Sequence, residues 1–311
     1  MKIFIRKRHF NAVLFIFLSL IIISISVQIP ITGEPSKADD FKTASIKDIL
    51  TVNEIVLDNT RKKAMSQDEL IWEEKLEENL GDFYLPIYKR DKLSSKRTSW
   101  DYIFDNPGLP NVLIIGDSIS RGYTIPIQDL FKTTADIYRV PENAGSTINA
   151  LKKLDLYLST AKHFDVIVFN FGIHDRRCNQ YKYQENLEKI VDKLASTGAK
   201  LIFVNTTPFA NQFKTIIPRS LSEIKSWYTY GHGKFLFFGD FMDENQLNLI
   251  ANNVMSRYKI DVVDIENELG DSIFTNQNKH DVHFPEKYYA EIAKPVAKAI
   301  SNALNKIHTA N

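Results

Sequence analysis

Ser118 stands just after an unbroken apolar run, Val112-Leu113-Ile114-Ile115, in the phrase Gly116-Asp117-Ser118. A short, β-branched run of this kind reads as a strand buried on both faces, as in a parallel sheet. Glycine lets the backbone turn sharply at the strand end, and Asp and Ser are good residues to open the next helix. Ser118 then lies at a helix N-terminus, where unpaired N–H groups and the helix dipole favour negative charge. That position suits a nucleophile whose attack creates an oxyanion. A plain turn with a capping serine reads the same way, so the residues after the other apolar runs must decide.

Further strand-like runs cover 135–140, 165–171, 200–206 and 260–263. Helical patterns lie between and after them, around 125–131, 147–161, 184–196, 245–257 and 286–307. This alternation predicts an α/β fold: a three-layer α/β/α sandwich on a flavodoxin-like, five-stranded parallel sheet. Ligands in such sheets bind outside the C-terminal strand ends. Asn143 and Gly145 follow the second run, and Asn170, Gly172, His174 and Asp175 follow the third. Asn205-Thr206-Thr207 follow the fourth, and His280-Asp281-Val282-His283 precede the last helix. Polar, small and titratable residues therefore gather at one sheet edge.

The rest of the 311 residues frames this domain, placed at 109–311. Lys2, Arg6, Lys7 and Arg8 precede an uncharged, largely apolar stretch at 10–33, close to the ~20 residues that cross a bilayer. Residues 1–33 read as a signal peptide, with Ser24-Ile25-Ser26 as a small-x-small cleavage site, or as a retained membrane anchor. Either way the remainder is expected outside the cytoplasm, secreted, periplasmic or anchored. Residues 34–108 form an N-terminal extension: a linker over 34–66 with some helical character at 46–57, then an amphipathic helix at 67–80 that Gly81 ends. An aromatic-rich stretch at 83–104 reads as irregular chain packed across the main domain, with no chemistry assigned to it. The glycine- and aromatic-rich segment 227–241 reads as an insertion. A net charge of +1 gives no footprint for nucleic acid, and the single cysteine, Cys178, excludes an internal disulfide or a cysteine-rich metal site.

The phrases LIIGDSISRGY, PENAG, FNFGIHD, TGAKLIFVNTTP and DVHF resemble a bacterial branch of the SGNH/GDSL hydrolases, over about 72–300. The resemblance implies a serine esterase that needs no metal or cofactor. Ser118 would be the nucleophile, His283 the general base and Asp281 the acid that orients the imidazole. Backbone N–H groups of Ser118 and Gly145 would line the oxyanion hole, with a side chain as third donor. Two departures stand out. His174 occupies the place of the family's Asn donor, and a neutral imidazole donates from one nitrogen only, so Asn143 or Asn170 are the alternative donors. The acid lies two residues before His283, and His280 holds the position three before it. The substrate class this implies is a small acyl ester, such as acetyl, on an extracytoplasmic carbohydrate. Acyl transfer to an envelope glycan, or glycan binding by an inactive scaffold, are the competing readings. Oligomeric state is not legible. Asp175 reads as a structural tie, Arg176-Arg177 as a solvated loop, and Arg121 and Tyr123 as either pocket or helix surface. Gly270-Asp271-Ser272 repeats the motif letters without a preceding strand and reads as a turn.

Overall fold

The sheet is built of five parallel strands: β1 (Asn111–Ile115), β2 (Asp136–Arg139), β3 (Val166–Phe169), β4 (Lys200–Val204) and β5 (Asp261–Val263). Their order is β2-β1-β3-β4-β5. The computed structural model describes residues 50–209, 242–278 and 282–310. All five residues of β1 are buried, as a strand covered on both faces requires. Successive side chains alternate between two cores. Leu113, Ile115, Ile167, Phe169, Leu201 and Phe203 face one, and Val112, Ile114, Val166, Val168, Ile202 and Val204 face the other.

Ten helices flank or precede this sheet among the described residues. The N-terminal ones are α1 (Val52–Lys63), α2 (Gln67–Asn79) and α3 (Gly81–Leu93). Next come α4 (Ser118–Leu130), α5 (Thr147–Leu158), α6 (Gln180–Ala195) and α7 (Glu244–Tyr258). Short α8 (Ile265–Leu269) and α9 (Ser272–Asn276) lead to the long α10 (Glu286–Ala310). Helices α5, α6 and α7 supply the first core, and α4 and α10 the second. The α/β sandwich read from the sequence is therefore the fold observed.

One sequence expectation is sharpened and another needs correction. The stretch 34–66, read as a linker with helical character at 46–57, carries that helix as α1 over 52–63, opened by a capping box in which Thr51 and Glu54 satisfy each other's backbone N–H groups. The aromatic stretch taken as irregular contains α3, despite Pro86 inside it. Packing overrides the proline: α3 buries Leu85 and Tyr88 in a third core with Trp72, Leu76 and Trp100. Lys89, fully buried, donates to Asp58 at 2.8 Å and Glu73 at 2.6 Å, and also pairs with Glu77. Arg61 bridges Asp58 and Glu73, and the Tyr88 hydroxyl donates to Glu73 at 2.6 Å. This cluster ties α1, α2 and α3 together. As expected, the extension does pack on the sandwich: Lys75 donates to the Ser159 carbonyl at 3.3 Å, and Lys153 on α5 donates to Asn79 at 3.3 Å.

No helix among the described residues is long and apolar enough to cross a membrane. The apolar stretch 10–33 and the segment 227–241 lie outside the described residues.

Candidate active site

The strand order reverses between β1 and β3, and the crevice at such a switch point is where ligands sit in open α/β sheets. Ser118 follows β1 and His174 follows β3. Asp117 caps α4 by accepting from the Ile119 N–H at 2.9 Å, which leaves Ser118 as the first residue of the helix. Behind this turn lies Arg139, 2 % exposed, at the end of β2. Its guanidinium donates to Ser120 Oγ at 2.8 Å and to the carbonyls of Gly116 and Asp117 at 3.1 and 2.9 Å. Burial pulls its pKa down to about 10, with Tyr123 and Asp117 opposing the fall, so it stays charged at neutral pH. Sequence reasoning missed Arg139. The signal was an arginine in a strand that must be buried on both faces.

His283 enters from the loop before α10, and its Nε2 lies 2.7 Å from Ser118 Oγ. That is hydrogen-bond reach for proton transfer from the serine. Asp281 and His280, between which the sequence left the acid open, lie outside the described residues.

Local contacts fix the loops beside the serine turn. The Ala144 N–H donates to the Gly116 carbonyl at 3.1 Å, sewing the loop after β2 onto the serine turn. Gly145 follows with φ +64°, a conformation that favours glycine. Asp175 accepts from the Thr147 N–H at 3.0 Å and from its hydroxyl at 2.6 Å, tying the His174 turn to the start of α5. Asp175 is thus the structural tie expected; burial pushes its pKa up to about 6, against the Thr147 bonds. Gly172 has a different reason: a Cβ there would lie 1.8 Å from Thr206 Oγ1, on the neighbouring loop.

His174 sits beside this turn, with Nε2 3.9 Å from Asp117 and a side chain 41 % exposed. Desolvation lowers its pKa and the charges of Arg176 and His283 lower it further, against Asp117. The lowered pKa favours the neutral imidazole at neutral pH, and that form has one N–H to give. Of the alternative donors, Asn170 commits its amide to the Val204 carbonyl at 2.6 Å, bracing β3 against β4. Asn143 is half-buried, with Oδ1 buried and unpaired.

Other expectations resolve as follows. Arg176 is half-buried and donates to the Ile173 carbonyl at 2.8 Å, so the solvated-loop reading is corrected. Tyr123 is buried in the core. Ser272 is exposed as the first residue of α9 and donates to the Leu269 carbonyl; the chain turns at Gly270-Asp271 between α8 and α9, with no strand leading into it. Cys178 has its pKa raised, by burial first, which does not suit a nucleophile.

The extension contributes to the site after all. Tyr84 on α3 packs edge-on against Trp100, and the Arg121 guanidinium lies 5.4 Å from its ring centroid. Burial raises the Tyr84 phenol pKa, and the positive charge of Arg121 works against the rise. A groove of about 390 Å³ runs between the extension and the sandwich, lined by Trp100, Arg121, Phe284 and Tyr289 and reaching His283.

No protein-family model matches the chain, and no curated protein matches it. Solved structures similar to it include a lipase/acylhydrolase from Enterococcus faecalis, 16% identical, covering 62% of this chain and 96% of that one, with a TM-score of 0.48. An acetyl xylan esterase is 15% identical over 61% of this chain and 99% of its own, with a TM-score of 0.46. A GDSL-like lipase from Bacteroides thetaiotaomicron VPI-5482 is 16% identical over 70% and 98%, with a TM-score of 0.45. Independently of these likenesses, the sandwich brings Ser118, His174 and His283 of the SGNH/GDSL-like phrases to one sheet edge.

Proposed function

We propose that this protein is a serine esterase of the SGNH/GDSL type, cleaving a small acyl ester on a carbohydrate outside the cytoplasm. The observation that carries the reading is the 2.7 Å contact between Ser118 Oγ and His283 Nε2 at the switch point of the sheet. His283 takes the serine proton as Oγ attacks the ester carbonyl carbon. The negative charge on the carbonyl oxygen is met by the N–H groups of Ser118 and Gly145 and by the His174 ring. The carbon–oxygen bond to the alcohol then breaks, and the imidazolium returns its proton to the leaving oxygen. Water, deprotonated by His283, attacks the acyl-serine and restores the enzyme. Asp281 is our choice for the group that orients His283 and stabilises its imidazolium, with His280 the alternative.

The location rests on the basic residues before the apolar stretch 10–33. The acetyl group and the carbohydrate follow from the motif resemblance and that location. The test is hydrolysis of p-nitrophenyl acetate and of acetylated sugars by purified protein. Acetate release that disappears in Ser118→Ala supports the reading. A folded protein that hydrolyses none of these esters overturns it, and acyl appearing on an added sugar acceptor converts it to a transferase.

A further inference from the structure

Arg121 lies three residues after Ser118 on α4, beside the groove that reaches His283. Its guanidinium is 5.4 Å from the Tyr84 ring centroid and 5.8 Å from that of Trp100. Two aromatic rings hold a planar cation in place and leave its N–H edge for another partner. Among the described residues the guanidinium has no hydrogen bond or ion pair, and its Nε is buried without a partner. A guanidinium in that condition is out of keeping with how buried donors are normally satisfied.

The other cations of the groove are answered. Lys96 pairs with Asp91 at 3.5 Å, and Arg97 pairs with Asp129 and donates to Gln128 at 3.1 Å. Glu286, which also lines the groove, is exposed. Deeper in, Arg139 adds a second positive charge whose hydrogen-bond acceptors are carbonyls and a hydroxyl. Asp117 is turned to the Ile119 N–H and toward His174. Arg121 is therefore the groove cation for which no carboxylate partner stands within ion-pair reach among the described residues. Its volume of about 390 Å³ falls in the range of small-molecule sites, far beyond what an acetyl group fills.

We propose that Arg121 is a substrate-recognition residue whose guanidinium edge binds the carboxylate of an acidic sugar, on the alcohol side of the ester. Tyr84 and Trp100 fix the plane of the guanidinium, and a carboxylate meets it in the two-bond geometry that arginine favours. The N-terminal extension thereby becomes one wall of the binding site. The position of the ester rests on the esterase reading; recognition of the carboxylate does not.

The test is equilibrium binding, measured by calorimetry on the full chain carrying Ser118→Ala. The ligands are trigalacturonate and a neutral trisaccharide, and Arg121→Gln and Arg121→Lys are added to that background. The acidic sugar is expected to bind about tenfold more tightly than the neutral one, with a preference that weakens as salt rises. Arg121→Gln should abolish the preference and Arg121→Lys should keep part of it. Equal affinity for the two sugars, binding of neither, or a preference that survives in Arg121→Gln overturns the proposal. If Arg121→Gln fails to fold, the wild-type preference and the Arg121→Lys variant still decide. No turnover is involved, so failure here leaves the serine esterase standing, and an enzyme inactive on p-nitrophenyl acetate fails that reading alone.

Discussion

A serine hydroxyl is a poor nucleophile until a base takes its proton, and His283 Nε2 lies where that transfer needs it, 2.7 Å away. Under the proposed mechanism His174 is the third oxyanion donor, while one N–H of the Asn170 amide is taken by the Val204 carbonyl. His174→Ala is expected to lower kcat by ~10²–10³ with little change in KM, and His174→Asn to recover most of the loss, by steady-state kinetics. A near-normal rate in His174→Ala would move the role to Asn143. Arg139 acts one layer back, as a positioning residue for the serine turn. Arg139→Met removes three hydrogen bonds from the serine turn, at a cost of about 3 kcal/mol read as a fall in denaturant midpoint. At this scale the motif residues were legible because chemistry restricts their types. Arg139, Tyr84 and Arg121 act through packing, and their roles emerged only when β2 and α3 were seen against the turn.

Elements were legible in proportion to how apolar they are. β1 reads correctly to within one residue, because a strand buried on both faces must be a continuous apolar run. α3 did not, because Pro86 and its mixed aromatic and charged residues hide a helix made stable by its neighbours. The contact between α4 and α10 matters most for the site, since α4 carries Ser118 and α10 follows His283. It depends on Gly122, where an added Cβ would lie 2.3 Å from the Tyr289 ring. Gly122→Ala is therefore expected to destabilise the fold by about 1–3 kcal/mol, despite the better helix propensity of alanine. It should also reduce activity more than distance from the chemistry suggests. A thermal melt matching wild type would show that the helices separate freely.

The described residues form a sandwich with a helical extension whose own integrity depends on buried charge. Burial alone would raise the Glu73 carboxyl, but Arg61, Lys89 and Tyr88 outweigh it and hold its pKa near about 2, against an ordinary 4.5. The ionised form thus stabilises the folded state above about pH 4.5, and that contribution is lost as pH falls toward about 2. Acid titration followed by Trp72 and Trp100 fluorescence should show the extension loosening in that window, and Glu73→Gln should flatten the transition. Because Trp100 lines the groove and Tyr84 packs against it, activity measured after brief acid exposure should fall along with the fluorescence change. The extension's place in the site was beyond the sequence, since nothing in the spacing of Tyr84, Trp100 and Arg121 announces that they meet.

The most direct measurement is peptide mapping after reaction with a fluorophosphonate, which modifies a serine only where a base activates it. Wild-type protein should carry one adduct, on Ser118, with His283→Ala labelled far more slowly and Ser118→Ala unlabelled at that peptide. Folded wild-type protein that leaves Ser118 unmodified, or that labels it equally well without His283, would contradict the account.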